Sequence, residues 1–184
     1  MLILASGSPR RKQLLALITE DFSVRPTGCD ESLICADPEQ RVLELALRKA
    51  RAAELLPNDV VLAADTIVAL DDEILEKPAD EDDARRMLRA LSGRAHMVYT
   101  GVAVRTEHEM RSFCQKTAVA FWPLEQAFID AYVRSGEPMD KAGAYGIQGK
   151  GALLVRSIEG DFFNVMGLPV AAVYRQLREM GIVT

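Results

Sequence analysis

The sequence predicts an α/β fold in which a mixed β-sheet is flanked by helices. Apolar runs at Leu2–Ala5 and Val60–Ala64 are typical of buried strands, and segments with helical periodicity alternate with them along the chain. Two later stretches, Met97–Arg105 and Arg111–Phe121, are rich in β-branched and aromatic residues, which indicates an antiparallel pair. Since helical crossovers favour parallel pairing and hairpins are antiparallel, we expect both kinds of pairing in one sheet.

Turn and capping residues bound the elements of the first part of the chain. Ser6-Gly7-Ser8 ends the first strand, and Pro9 suits the first position of a helix that Ser8 caps. That helix is predicted to continue to about Thr19. A possible strand at Asp21–Pro26 and a helix over about Pro38–Leu56 follow.

The later elements are bounded in the same way. Asp65 stands at the C-terminal end of the strand Val60–Ala64, and Asp80 caps a helix at Glu81–Leu91. The segment Gly136–Gly151 holds five of the twelve glycines, which predicts a structured loop or a tight crossover. The other predicted elements are an extended segment at Thr66–Leu70, a turn at Asp71-Asp72, a returning strand at Glu73–Glu76, a helix at about Glu125–Ser135, strands at Leu153–Ile158 and Phe162–Val165, and a closing helix at Pro169–Met180.

Composition and charge narrow the function classes. The 184 residues are 49% hydrophobic and 27% charged, which fits a globular protein of one domain, or of one domain with two small lobes. The net charge of −5 argues against a wide nucleic-acid or membrane footprint. Three cysteines without CxxC spacing and only two histidines argue against a disulfide framework, a zinc site and a histidine-based metal cluster. No apolar run suits a signal peptide or a bilayer span, so we expect a cytoplasmic protein.

Three cations occupy the first turn of the first predicted helix. Arg10, Arg11 and Lys12 oppose the helix macrodipole, and a bound phosphate, held also by Ser8, would resolve that conflict. The alternative is a solvated basic turn behind a serine N-cap. Arg11 shares a helical face with Leu14, Leu15 and Ile18, so we expect it to point inward.

Other charged residues stand in unusual surroundings. Lys49 has only apolar neighbours three and four residues away, so it either snorkels to solvent or faces an anion. Asp65 suits Mg²⁺ binding or activation of water, or else a cap or turn, and Thr66 beside it suits a hydrogen bond to a ligand. Glu31 is either a metal ligand or a polar loop residue, and Lys77 is either aimed by Pro78 or an ordinary surface lysine.

The glycine-rich segment carries one amide, Gln148, whose paired donor and acceptor suit the edge of a nucleobase. The alternative is a tight structural turn. The segment matches neither the dinucleotide-binding nor the P-loop pattern. Taken together, several cations, two isolated acids and a glycine loop predict an enzyme acting on a nucleotide or a phosphate ester, since phosphoryl chemistry depends on charge neutralisation and positioning.

A series of short motifs resembles the Maf-like nucleoside triphosphate pyrophosphatases, which are related in fold to the inosine triphosphatase group. The resemblance covers almost the whole chain. The motifs are Ala5-Ser-Gly-Ser-Pro-Arg-Arg11, Lys49-Ala50-Arg51, Ala64-Asp-Thr66, Glu76-Lys-Pro78, Leu91-Ser-Gly93, Ser135-Gly-Glu-Pro-Met-Asp-Lys-Ala-Gly-Ala-Tyr-Gly-Ile-Gln-Gly149 and Gly167-Leu-Pro169.

The resemblance implies one domain over residues 1–184, with two lobes around a central cleft, that hydrolyses a nucleoside triphosphate to the monophosphate and pyrophosphate. It implies a divalent cation, Mg²⁺ or Mn²⁺, near Glu31 and Asp65. It also implies Asp65 as the proton acceptor for the attacking water and Lys77 as a second catalytic residue. Ser8, Arg11 and Lys49 are implied to bind the triphosphate, and Arg10, Thr66 and Gln148 to read the base.

At the last three residues the sequence resembles the family branch that acts on dTTP and UTP, which implies these nucleotides as substrates. The branch that acts on 7-methyl-GTP carries Trp, Gln and Glu at the places of Arg10, Thr66 and Gln148. The resemblance further implies cleaning of the nucleotide pool, including modified pyrimidine triphosphates, and a possible homodimer, with no nucleic-acid polymer or membrane as partner. Two alternatives stay open, namely another base preference such as 7-methyl-GTP and a non-catalytic nucleotide-binding regulator linked to cell division.

Overall fold

The computed structural model describes residues 1–32 and 35–184, and these form a seven-stranded sheet with helices. The strands are β1 (Leu2–Leu4), β2 (Phe22–Val24), β3 (Val60–Leu70), β4 (Glu73–Leu75), β5 (Ala95–Arg105), β6 (Met110–Phe121) and β7 (Val155–Glu159). The α-helices are α1 (Pro9–Leu15), α2 (Pro38–Ala52), α3 (Glu81–Leu91), α4 (Gln126–Arg134), α5 (Phe162–Met166) and α6 (Val170–Glu179). Three short 3₁₀ helices lie at Glu137–Asp140, Ala142–Ala144 and Gly149–Leu154.

The sheet is mixed, as predicted. Its strand order is β2-β1-β3-β5-β6-β7, and β4 pairs with β3. β1 is parallel to both β2 and β3, whereas β4 is antiparallel to β3 and β7 is antiparallel to β6. Along the described residues, no helix combines the length and apolar character that crossing a membrane would need.

The chain divides into two compact units. The first unit comprises Met1–Asp65, Thr100–Gln115 and Gly167–Thr184. Helix α2 packs closely on β1, β3 and β5 because the contact is made by small residues. Alanines line both sides of it, and a Cβ at Gly101 would lie 2.2 Å from the Val42 carbonyl oxygen. Arg105 adds hydrogen bonds to three carbonyls at the end of α2. This close packing fixes the helix that carries Lys49.

The second unit comprises Thr66–Tyr99 and Lys116–Met166. Its core packs α3 and α4 against strand residues such as Val68 and Phe121. The glycine-rich segment forms the three 3₁₀ helices, so the prediction of a structured loop is confirmed.

Four details of the predicted elements are wrong. Phe162–Val165 lies in helix α5 and not in a strand, because the Asp161 carboxylate accepts a hydrogen bond from the Phe163 amide and the buried Asn164 side chain donates to the Val98 carbonyl and the Thr117 hydroxyl. Asp65 lies inside the continuous strand β3 and not at a strand end. Helices α1 and α2 end at Leu15 and Ala52, each four residues earlier than predicted.

We expect acid to weaken the second unit through His96. This side chain is buried, its Nε2 lies 2.8 Å from the Tyr145 hydroxyl, and its ring packs edge-on against Phe121. Burial lowers the pKa of His96 from 6.5 to about 4. Between these values the unfolded chain binds the proton and the folded chain does not, so the free energy of unfolding falls as the pH drops from 6.5 to 4, by up to about 3 kcal/mol.

Urea unfolding at pH 7.5 and pH 4.5 measures this loss in the wild type, in His96→Gln and in His108→Gln. The loss should be smaller in His96→Gln than in the wild type, whereas His108 is exposed and its variant should behave like the wild type. Equal losses in all three proteins would show that His96 does not cause the acid sensitivity.

Candidate active site

The register of β1 against β3 brings the loop after β1 beside Asp65. Leu4 pairs with Leu62, and the Ala5 amide donates to the Leu62 carbonyl oxygen at 2.8 Å. Because β1 ends there while β3 continues, the residues that follow β1 lie alongside the part of β3 that leads to Asp65. The carboxyl end of a parallel strand is a common place for ligand-binding groups in α/β proteins.

Arg11 is held at this point by one long-range and one local hydrogen bond. Its Nε donates to the Gly167 carbonyl at 2.8 Å, and its Nη1 donates to the Ser6 hydroxyl at 3.2 Å. The side chain is half-buried, which confirms the prediction that it points inward. Desolvation lowers the pKa of Arg11, and the nearby Asp65 carboxylate opposes this effect. A guanidinium stays charged in proteins, so Arg11 supplies a fixed cation beside Asp65.

Ser8 and Arg10 lie at the start of the same helix. Ser8 is the N-cap of α1, as predicted, and its hydroxyl accepts a hydrogen bond from the Arg11 amide at 3.5 Å. Arg10 is half-buried and close enough to Arg11 for its charge to lower the pKa of Arg11. A bound anion would relieve this repulsion between neighbouring cations.

Lys49 faces anions and does not snorkel. It lies on the buried face of α2, and only 8% of it is exposed. Its Nζ lies 2.7 Å from Oδ1 of Asp65, which is also 8% exposed, and 3.1 Å from Oε1 of the exposed Glu31. The structure therefore brings Lys49, Asp65 and Glu31 together, and one ammonium group is shared by two carboxylates.

This arrangement tests whether Glu31 and Asp65 fit a divalent cation. The Lys49 ammonium is a cation within 3.1 Å of an oxygen of each, so the two carboxylates converge on one cationic centre. Mg²⁺ is commonly held by one or two carboxylates together with substrate phosphates. Among the described residues, no group of three or more His, Cys, Asp or Glu side chains is placed to hold a metal. Glu31 and Asp65 thus supply the one or two carboxylates that such a cation uses.

The remaining predicted site residues, Thr66, Lys77 and Gln148, belong to the second unit. Thr66 is half-buried on β3 directly after Asp65, whereas Lys77 and Gln148 are exposed. The Gly143 amide donates to the carbonyl of Glu76, the neighbour of Lys77, at 3.1 Å, and a Cβ at Gly143 would lie 2.9 Å from the Val68 side chain. The glycine-rich segment therefore packs on β3 and on the chain that leads to Lys77.

Sequence reasoning missed several supporting groups. The Gly167 carbonyl holds Arg11, and Glu137 and Tyr132 hydrogen-bond the glycine-rich segment. Gly167 and Glu137 lie in motifs of the sequence but were given no role there, whereas Tyr132 lies in none of them.

Comparison with known proteins relates this chain to one family. A family model described as Maf-like protein matches residues 1–180. A relative from Bacillus velezensis, called dTTP/UTP pyrophosphatase, is 52% identical over 98% of this chain and 97% of its own. Relatives with the same name from Geobacillus sp. (strain WCH70) and Bacillus mycoides are 50% and 49% identical, over 98% and 97% of this chain and 98% and 94% of their own.

A solved structure of a HAM1 protein from Coxiella burnetii has a similar fold. It covers 97% of this chain and 98% of its own with a TM-score of 0.52 and 14% identity, so the likeness concerns the fold alone and confirms the predicted fold class. The family model spans nearly all of the sequence, and relatives are about half identical over nearly their full lengths. This chain therefore belongs to the family of Maf-like proteins.

Proposed function

We propose that this protein is a nucleoside triphosphate pyrophosphatase that hydrolyses dTTP and UTP to the monophosphate and pyrophosphate. The observation that carries the proposal is the buried Lys49 ammonium shared by Asp65 and Glu31, with the Arg11 guanidinium nearby. Cations and carboxylates gathered in this way suit a metal-bound polyphosphate. The relatives called dTTP/UTP pyrophosphatase support the choice of substrate.

In the proposed mechanism, cationic side chains and one hydroxyl bind the triphosphate. Arg11 is held by its contacts to Ser6 and Gly167, so it meets the phosphates with little further loss of side-chain freedom. The Lys49 ammonium has three N–H donors, and the contacts to Asp65 and Glu31 use two of them. Lys77 and the Ser8 hydroxyl complete the set.

Asp65 accepts a proton from the water that attacks the α-phosphorus. The new bond joins the water oxygen to this phosphorus, the bond to the bridging oxygen breaks, and pyrophosphate leaves. A divalent cation, Mg²⁺ or Mn²⁺, held by Glu31 and Asp65 would neutralise charge on the phosphate oxygens. Burial of Asp65 favours these roles because electrostatic interactions are stronger away from water.

Arg10, Thr66 and Gln148 are proposed to read the pyrimidine. Uracil and thymine present carbonyl acceptors and one N–H, and the Gln148 amide complements both kinds of group. Cytosine carries an exocyclic amine instead of one carbonyl and should fit less well. Modified uracil and thymine nucleotides keep the same edge, so we propose that the protein also removes these from the nucleotide pool.

The test is pyrophosphate release from the purified protein with dTTP, UTP, dCTP, GTP and 7-methyl-GTP, in Mg²⁺ and in EDTA. We expect metal-dependent release that favours dTTP and UTP. A preference for 7-methyl-GTP would keep the reaction and overturn the base-reading residues. No release from any nucleotide, together with tight nucleotide binding, would favour the non-catalytic regulator.

Three further features belong to this proposal. We propose that residues 1–184 act as one domain, that they act in the cytoplasm where nucleotide pools lie, and that the protein is a homodimer. A single cooperative unfolding transition is expected for one domain. Light scattering measures the mass of the particle, and twice the 20.3 kDa of one chain is expected for the homodimer.

Gln148→Glu is expected to change the ranking of nucleotides. A carboxylate cannot donate to the carbonyls of uracil and thymine, so KM for dTTP and UTP should rise about tenfold relative to that for GTP. Gln40→Glu, on the exposed face of α2, is the matched control. Steady-state kinetics on the nucleotide panel measures the change, and an unaltered ranking would remove Gln148 from the base-reading set.

A further inference from the structure

The segment that carries Gln148 is tied to the second unit on both sides of this residue. Two positions before it, the Gly146 amide donates to the Tyr132 hydroxyl at 3.2 Å. Two positions after it, the Lys150 amide donates to Oε2 of Glu137 at 3.1 Å, and the next amide, of Gly151, donates to Oε1 at 2.9 Å. Gln148 itself is exposed and extended, with φ −102° and ψ 172°.

Tyr132 and Glu137 also bind each other. The Tyr132 hydroxyl donates to Oε1 of Glu137 at 3.1 Å, so one hydrogen-bonded chain runs from Gly146 through Tyr132 and Glu137 to Gly151. Tyr132 is only 2% exposed and is fixed in α4. Desolvation raises the pKa of Glu137, but the hydrogen bonds that it accepts outweigh this effect and the pKa is lowered, so Glu137 is a carboxylate. We call the pair Tyr132 and Glu137 the clamp.

The glycines of this segment fit the same arrangement. A Cβ at Gly149 would lie 2.9 Å from Oε2 of Glu137, and one at Gly151 would lie 2.6 Å from the Tyr132 hydroxyl and 2.1 Å from the Gly146 carbonyl oxygen. The φ of Gly149 is +65°, which also favours glycine. The backbone is therefore pressed against the carboxylate and the phenol, which leaves Gln148 little freedom to shift.

We propose that Glu137 and Tyr132 are positioning residues that set the place of the Gln148 amide and thereby the selectivity for the base. This inference rests on the proposed function. An amide that discriminates between donors and acceptors must be held accurately, because a displacement that lets water in removes the penalty for the wrong base. Neither residue is assigned a contact with the phosphates, so loosening the clamp should act on base selectivity more than on the chemical step.

The experiment compares Tyr132→Phe and Glu137→Gln with two matched controls. Tyr174→Phe removes a phenol that binds the C-terminal carbonyl of Thr184, and Glu125→Gln alters an exposed acid that makes no side-chain cap. We expect the ratio of kcat/KM for UTP over GTP to fall about fivefold in each clamp variant, mainly through KM for UTP, since the loss of a hydrogen bond is worth a factor of this order. The controls should keep the wild-type ratio.

A double-variant cycle separates positioning from general loosening. In a Gln148→Ala background, Tyr132→Phe should change the ratio by less than about twofold, because the amide that it positions is already gone. Equilibrium binding of UMP and GMP, measured on the same variants, gives the selectivity without turnover. Wild-type selectivity in both clamp variants, or an undiminished effect of Tyr132→Phe without Gln148, would overturn the clamp. If the wild-type protein releases no pyrophosphate, the proposed function is overturned. If that protein still binds UMP better than GMP and the clamp variants lose this preference, the clamp remains supported.

Discussion

Replacing Asp65 with asparagine should lower pyrophosphate release by about 10³-fold, while nucleotide binding remains measurable. The amide keeps nearly the same shape and retains an oxygen that accepts a hydrogen bond from the Lys49 ammonium, which lies 2.7 Å from Oδ1 in the wild type. It loses the negative charge and the basicity that proton removal from water requires. Arg11 keeps its contacts to Ser6 and Gly167, so the phosphates are still bound. The expected loss therefore falls on kcat.

Single-turnover pyrophosphate release and calorimetric binding of UTP to the variant separate these two effects. Asp72→Asn, at the exposed turn between β3 and β4, is the matched control and should retain wild-type turnover. The thermal midpoint of Asp65→Asn shows whether the variant is folded. A folded variant with kcat within about tenfold of the wild type would contradict the role of Asp65 as the base.

The sequence predicted those elements whose signals are local. Helix α3 has the predicted bounds, because Asp80 caps it through the Asp83 amide and apolar residues recur at helical spacing along its buried face. The segment Phe162–Val165 carried no such signal, since four residues are too few to show a period. Hydrogen bonds from Asn164 to Val98 and Thr117, far apart in the sequence, help to fix it as a helix.

In the candidate site, too, only the features with local signals could be predicted from the sequence. A cation on an apolar helical face identified Arg11 and Lys49, because burying a charge without a partner is costly. The partners of Lys49 could not be deduced from the helix alone, since Asp65 is sixteen residues away and reaches it through the packing of α2. The clamp of Glu137 and Tyr132 was missed because backbone amides are its main partners, and every residue except proline has one.

Replacing Lys49 with methionine should destabilise the protein by about 3 kcal/mol in the absence of divalent cations. Methionine fills a similar volume on the buried face of α2, so packing is largely kept. The change removes the ammonium that neutralises Asp65 and Glu31, and it leaves the buried Asp65 carboxylate beside a second negative charge. The thermal midpoint should fall by roughly 6 to 12 °C for a chain of this size.

Divalent cations should reverse part of this loss if Glu31 and Asp65 bind them. With the ammonium absent, the two carboxylates have no competing cation between them, so added Mn²⁺ should raise the midpoint of Lys49→Met more than that of the wild type. Differential scanning calorimetry with and without Mn²⁺ measures both effects, and Lys12→Met, on the exposed side of α1, is the control. The double variant Lys49→Met with Asp65→Asn should recover stability and lose most of the Mn²⁺ response, because the buried carboxylate that lost its ammonium partner is gone. A Lys49→Met protein as stable as the wild type would show that the ammonium does not compensate the two carboxylates. An equal Mn²⁺ response in all variants would place the cation elsewhere.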